Sequence, residues 1–160
     1  MDYLWTPWRY QYVTQTGEPV ECVFCSAPQI ADDRVSLIVH RAQHNYVILN
    51  RYPYTSGHLM VVPYAHVATL AEVGEAALTE MMLLARDCEE RLREVYRPEG
   101  LNFGVNVGKS AGAGIAGHLH LHALPRWTGD TNFMTAIGET RVLPEELQIT
   151  WSRLKAAWEQ

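Results

Sequence analysis

Three of the chain's seven histidines, His118, His120 and His122, alternate strictly in the run "GHLHLHALPRW", residues 117–127. Successive side chains of a strand point to opposite faces. The spacing therefore predicts three imidazoles on one face, about 6.5 to 7 Å apart, with Leu119 and Leu121 turned towards the core. Such a row is poor packing material, because each ring carries two nitrogens that need partners when buried. Two chemistries suit it. In one, the histidines hold a metal that activates water. In the other, a neutral imidazole attacks phosphorus while its neighbours hold the phosphate oxygens. The glycine-rich "KSAGAG" starting at Lys109, whose amides can approach an anion closely, favours phosphate, as do Arg126 and the shortage of carboxylates near the strand.

A second constellation is "CVFC", which sets Cys22 and Cys25 at a C-x-x-C spacing. That spacing alone suits a zinc knuckle, a redox pair or two core thiols.

These groups need elements to position them. "NYVILN" and "HLMVVP" are β-rich runs either side of "RYPYTSG", whose Pro53, Ser56 and Gly57 supply turn chemistry, so an antiparallel hairpin with a longer loop is predicted. From about Glu75 to Tyr96 the residues Leu78, Met81, Met82, Ala85, Cys88, Leu92 and Val95 repeat at three and four, the stripe of an amphipathic helix ended by "RPEG". "LNFGVNVG" alternates again, with Phe103, Val105 and Val107 on one face and Asn102, Gly104 and Asn106 on the other, and should pair with the histidine strand. A last helix is signalled by "PEELQITWSRLKAAW", with Pro144 in its first turn and a stripe of Leu147, Trp151, Leu154 and Trp158. The pattern is α+β, an antiparallel sheet with helices packed to one side.

At 160 residues, with no repeat, low-complexity tract or linker, the chain reads as one domain over 1–160. Its start, residues 1–16, is dense in aromatics (Tyr3, Trp5, Trp8, Tyr10, Tyr12) and reads as an extension lying on an apolar surface, a subunit contact, or simple edge packing. No apolar run has the length of a membrane span and no signal-peptide order is visible, so a cytoplasmic protein is expected. Three cysteines fit thiols or metal ligands better than a disulfide framework. A net charge of -5 argues against a nucleic-acid polymer as partner. Nothing calls for an organic cofactor. His40 and His44 fit neither constellation and are read as surface residues.

"HLHLHAL" resembles the His-φ-His-φ-His-φ-φ signature of the histidine triad superfamily of nucleotidyl hydrolases and transferases, φ being apolar. The resemblance extends to "VILNRYPYTSGHLMVVPYAHV", like that family's first hairpin, to "NVGKSAGAGIAGHLHLHALPRW", like its last, and to "GDTNFM", like bacterial diadenosine tetraphosphate phosphorylases. It implies that His120 is a nucleophile that becomes nucleotidylated at the α-phosphorus, with His118 and His122 as the flanking catalytic histidines and His122 donating to phosphate oxygens. It also implies that His58 lies on the phosphate side, Asn50 at the ribose and Asn106 near the leaving group. Ile115 and Gly114 stand where many family hydrolases carry polar side chains, which implies that Lys109, Ser110 or loop amides substitute. Zinc-bearing relatives, including galactose-1-phosphate uridylyltransferases, pair such cysteines with histidines matching His66 and His118, which implies a structural zinc on Cys22, Cys25, His66 and His118. The substrate implied is a nucleotide, diadenosine tetraphosphate first, with orthophosphate or water as acceptor; nucleoside phosphoramidates are the hydrolase alternative and a homodimer the assembly. A nucleotide sensor with negligible turnover is the competing class.

Overall fold

The computed structural model describes residues 22–131 and 143–159. The aromatic residues 1–16 and residues 132–134 of "GDTNFM" lie outside that range.

Five strands form one antiparallel sheet: β1 (Ile38–Arg41), β2 (Asn45–Leu49), β3 (Leu59–Pro63), β4 (Gly100–Val105) and β5 (Leu121–Arg126), in the order β1-β2-β3-β5-β4. The expected hairpin is β2–β3, paired from Asn45 with Pro63 to Leu49 with Leu59, and every residue of both strands is buried. Two helical turns, α1 (Val23–Ser26) and α2 (Asp33–Ser36), precede the sheet, while α3 (Glu75–Tyr96) and α4 (Leu147–Trp158) pack on it and on each other.

The long helix follows its predicted bounds, but Leu84 rather than Met82 completes the stripe. Met81, Leu84, Ala85, Cys88 and Leu92 are buried and Met82 is exposed. Glu80 fastens α3 to the β1–β2 turn by accepting from the backbone N–H of Gln43, His44 and Asn45 and from the Asn45 amide. Burial pushes its carboxyl up, yet these donors prevail and hold it below the usual range. Asn45, on the face of Val47 and Leu49, also donates to the Ala77 carbonyl, so α3 covers that face. The opposite face carries Tyr46, Ile48, Met60 and His122. There the Tyr46 hydroxyl donates to the Phe24 carbonyl of α1 (2.7 Å).

Two expectations on the C-terminal side need correction. Helix α4 begins at Leu147, so Pro144 and Glu145 precede its first turn, and Glu145 instead accepts from Tyr96, Thr150 and Arg153. The predicted stripe holds: Leu154 is buried, and Leu147, Trp151 and Trp158 pack against the core. His40 and His44, expected at the surface, are both half-buried, and His40 stacks on Trp158 at 5.8 Å.

Candidate functional site

The β5 ladder starts at Leu121, so His118 and His120 precede it and only His122 pairs across, to Met60 on β3 and Gly104 on β4. The row is also far less open than an exposed strand face. His58 and His118 are fully buried, and His120 and His122 are 5% and 7% exposed. Burial on this scale requires partners, and those partners define the tautomers.

His58 Nδ1 accepts the Tyr54 backbone N–H (3.1 Å), so its proton resides on Nε2, which donates to His122 Nδ1 at 2.8 Å. The His122 proton is thereby assigned to Nε2, where it is a donor. Desolvation, with the neighbouring His120 adding to it, pushes His122 down to about 4, so this ring is neutral near pH 7. His120 Nδ1 donates to the His118 carbonyl (2.9 Å), which leaves a lone pair on Nε2. Burial lowers the His120 value as well, against the raising effect of that hydrogen bond. The rings of His120 and His122 are 4.8 Å apart. A neutral imidazole lone pair beside an N–H donor is an arrangement suited to attack on phosphorus.

His118 faces away from this pair. Its Nε2 donates to the Pro63 carbonyl (2.9 Å), which turns a bare Nδ1 towards Cys22 Sγ (3.3 Å) and Cys25 Sγ (3.5 Å), while His66 Nδ1 lies 3.2 Å from Cys25 Sγ. The four ligand atoms all fall within 4.8 Å of one another. Sulfur and nitrogen on one tetrahedral zinc are about 3.5 Å apart, so this closed Cys2His2 set fits that ion. The Pro63 carbonyl is the outer partner that such a histidine ligand needs. His118 thus joins both constellations, its ring in the cluster and its carbonyl on His120. Phe24, inside "CVFC", packs against both rings at 5.5 and 4.9 Å.

The remaining sequence candidates divide. Asn50 caps a turn, accepting the Tyr52 N–H (2.9 Å), and its amide nitrogen is 3.4 Å from His58 Nδ1. Asn106 is half-buried and directly follows Val105, whose pairing with Leu121 is the last of the β4–β5 ladder. Lys109 and Ser110 are exposed on a 3-10 turn, Lys109–Ala111, flanked by Gly108 and Gly112 at φ 83° and 89°. Arg126 is committed elsewhere, to Asp130 (2.6 and 2.8 Å) and to Asn102 (2.8 Å). Sequence reasoning missed Tyr54, whose ring lies 4.7 Å from His58 and 6.1 Å from His122, and Phe24. An aromatic four residues before a site histidine, and another between two candidate ligands, were the available signals.

The family model described as "HIT domain" matches residues 33–129, which include the histidine row and His66 but not Cys22 and Cys25. The AP-4-A phosphorylase of Mycobacterium tuberculosis is 39% identical over 97% of this chain and 83% of its own length. Among solved structures, a zinc-bound histidine triad family protein from Mycobacterium smegmatis superimposes with TM-score 0.70 at 27% identity, covering 88% of this chain and 94% of its own. A hypothetical histidine triad nucleotide-binding protein from Sulfolobus tokodaii gives 0.69 at 25% identity, covering 86% and 92%.

Proposed function

Since this chain belongs to the HIT domain family, we propose that it cleaves dinucleoside polyphosphates by nucleotidyl transfer to His120, with diadenosine tetraphosphate as substrate and orthophosphate as acceptor. The observation that carries the reading is the His120 ring, with Nδ1–H held by the His118 carbonyl and Nε2 free to attack. Nε2 bonds to the α-phosphorus, the bond to the bridging oxygen breaks, and ATP departs. Orthophosphate then displaces the histidine to give ADP. His122 Nε2–H, oriented through His58, stabilises the charge that builds on the phosphate oxygens. Asn106, directly after β4, is assigned to the leaving group, and Asn50 to the ribose.

The choice of orthophosphate is supported by the 39% identical phosphorylase and by Lys109, Ser110 and the glycine-rich loop, which offer donors for a second anion. We assign a structural zinc to Cys22, Cys25, His66 and His118; it supplies folding free energy and fixes His118, and no bond to phosphorus involves it. The absence of a disulfide among Cys22, Cys25 and Cys88 accords with a cytoplasmic protein, and among the described residues no helix is long and apolar enough to cross a membrane. The β4 edge, without a further strand among the described residues, supports a homodimer, with Phe103 on it and Val107 just past it exposed.

The test is incubation with diadenosine tetraphosphate, with and without orthophosphate. ATP and ADP are expected, with little product when phosphate is left out. In Lys109→Ala the apparent KM for phosphate should rise about tenfold with nucleotide affinity unchanged, a loss of roughly 1.4 kcal/mol. ATP and AMP in equal amounts, indifferent to phosphate, would make water the acceptor.

A further inference from the structure

A hydrogen-bonded histidine pair inside a protein depends on a fixed tautomer and on shelter from competing water. The β2–β3 loop provides the first by winding round its own histidine. Asn50 accepts the Tyr52 N–H (2.9 Å), His58 Nδ1 accepts the Tyr54 N–H (3.1 Å), and the Thr55 carbonyl accepts the His58 N–H (3.2 Å). Tyr54 thus carries the donor that leaves the His58 proton on Nε2, 2.8 Å from His122 Nδ1.

The side chain of the same residue meets the second need. Its ring lies 4.7 Å from that of His58, tilted by 48°, and 6.1 Å from that of His122, stacked at 25°, while the two imidazoles are 5.1 Å apart. These are separations at which aromatic rings fix one another's orientation. His58 is fully buried, whereas Tyr54 is 38% exposed and lines a cleft of about 730 Å³. Tyr54 therefore stands between the buried pair and the solvent of that cleft. The sheet cannot take over this duty. Across the ladder His122 meets Met60 on β3 and Gly104 on β4, and a Cβ placed at Gly104 would touch nothing within 4 Å, so β4 gives no cover at that position. Neither sheet neighbour titrates; the titratable rings packed against His122 are His120 on its own strand and His58 and Tyr54 from the loop.

We propose that Tyr54 is a positioning residue for nucleotidyl transfer: its ring, rather than its hydroxyl, keeps the His58–His122 pair dry and in one orientation, so that His122 presents Nε2–H to the phosphate oxygens. The proposal rests on the reading of His120 as nucleophile and His122 as donor. As the bond from His120 Nε2 to phosphorus forms, negative charge builds on those oxygens, and a His122 ring turned aside or shared with water stabilises it less. The loss falls on the transition state, because the bound nucleotide is held by other groups.

Tyr54→Ala removes the ring and keeps the backbone N–H on His58. With diadenosine tetraphosphate and orthophosphate, kcat should fall about tenfold with KM little changed, and Tyr54→Phe should restore it. NMR of the His122 ring at pH 5 should show the neutral form in wild type and Tyr54→Phe, where its value is about 4, and substantial protonation in Tyr54→Ala, where water from the cleft raises it towards the ordinary 6.5. Wild-type kcat in Tyr54→Ala, a loss confined to KM, or an unmoved His122 ring would overturn the proposal. So would a Tyr54→Phe as slow as Tyr54→Ala, which would give the role to the hydroxyl. Should Tyr54→Ala not fold, Tyr54→Val takes its place under the same criteria. The NMR measurement needs no turnover: if wild type forms no nucleotidyl-His120, the reading of the reaction has failed, and the His122 ring in the three proteins still decides whether Tyr54 shelters the pair.

Discussion

His120 and His122 can be assigned opposite roles because their partners differ, although both are neutral and buried. One ring gives its proton to the His118 carbonyl and keeps a lone pair; the other receives a proton's hydrogen bond from His58 and keeps a donor. The depressed His122 value has a measurable consequence. An unfolded histidine titrates near 6.5 and the folded one at about 4, so the folded state resists protonation. Stability is complete above about pH 6.5 and falls as pH drops through the interval towards 4, by up to ~3 kcal/mol from this residue. Urea unfolding at pH 7 and pH 5 should therefore show a larger loss in wild type than in His122→Asn, and identical losses would contradict the assignment. The alternation of the histidines was legible in the sequence, as was the demand for partners. The partners themselves were not, because the Tyr54 N–H, the Pro63 carbonyl and the His118 carbonyl are backbone groups that every residue type offers alike.

At the scale of elements, the β2–β3 loop and the C-terminus of α3 together position His58. Gly57 has φ 79°, and a Cβ placed there would stand 3.0 Å from the Tyr96 ring and 3.1 Å from Leu92. Gly57→Ala should cost about 1–3 kcal/mol through strained backbone and that clash. The effect should appear as a lower denaturant midpoint together with reduced turnover; an unchanged midpoint would mean that the loop does not depend on α3. The Cys/His cluster makes a separate forecast. About one zinc per chain should be found by metal analysis, and Cys22→Ser with Cys25→Ser should abolish it. Loss of several kcal/mol lowers the unfolding temperature by roughly 2–4 °C per kcal/mol for a chain of this size. Stable, active, metal-free protein would end the claim. Periodicity located the helix stripe and the hairpin because both are local patterns. It misjudged the start of β5, where His118 and His120 leave the ladder to serve cluster and site, and it offered Arg126 to phosphate because Asp130 and Asn102 meet it only in the folded chain.

For the molecule as a whole, a net charge of -5 gives no general attraction for a polyanion, so recognition depends on donors gathered at one place. The fold gathers them by laying α3 and α4 on one face of the sheet and reserving the other for the histidines, with α1 closing one end of the row. The class of fold and the residues of the row were readable from the chain, since both follow from apolar spacing and from the resemblance of "HLHLHAL". The acceptor was not, because the proposed nucleotidyl intermediate is the same for water and orthophosphate, and the donors proposed to choose between them stand on an exposed loop. The central claim is the covalent step on His120. It is tested most directly by acid-free quenching of the enzyme with diadenosine tetraphosphate in the absence of orthophosphate, followed by peptide mass spectrometry. The account predicts one adenylyl group, labile to acid, on His120, discharged as ADP when orthophosphate is added, with no adduct and no turnover in His120→Ala. Undiminished turnover in His120→Ala, or an adduct on another residue that is chemically competent, would contradict it.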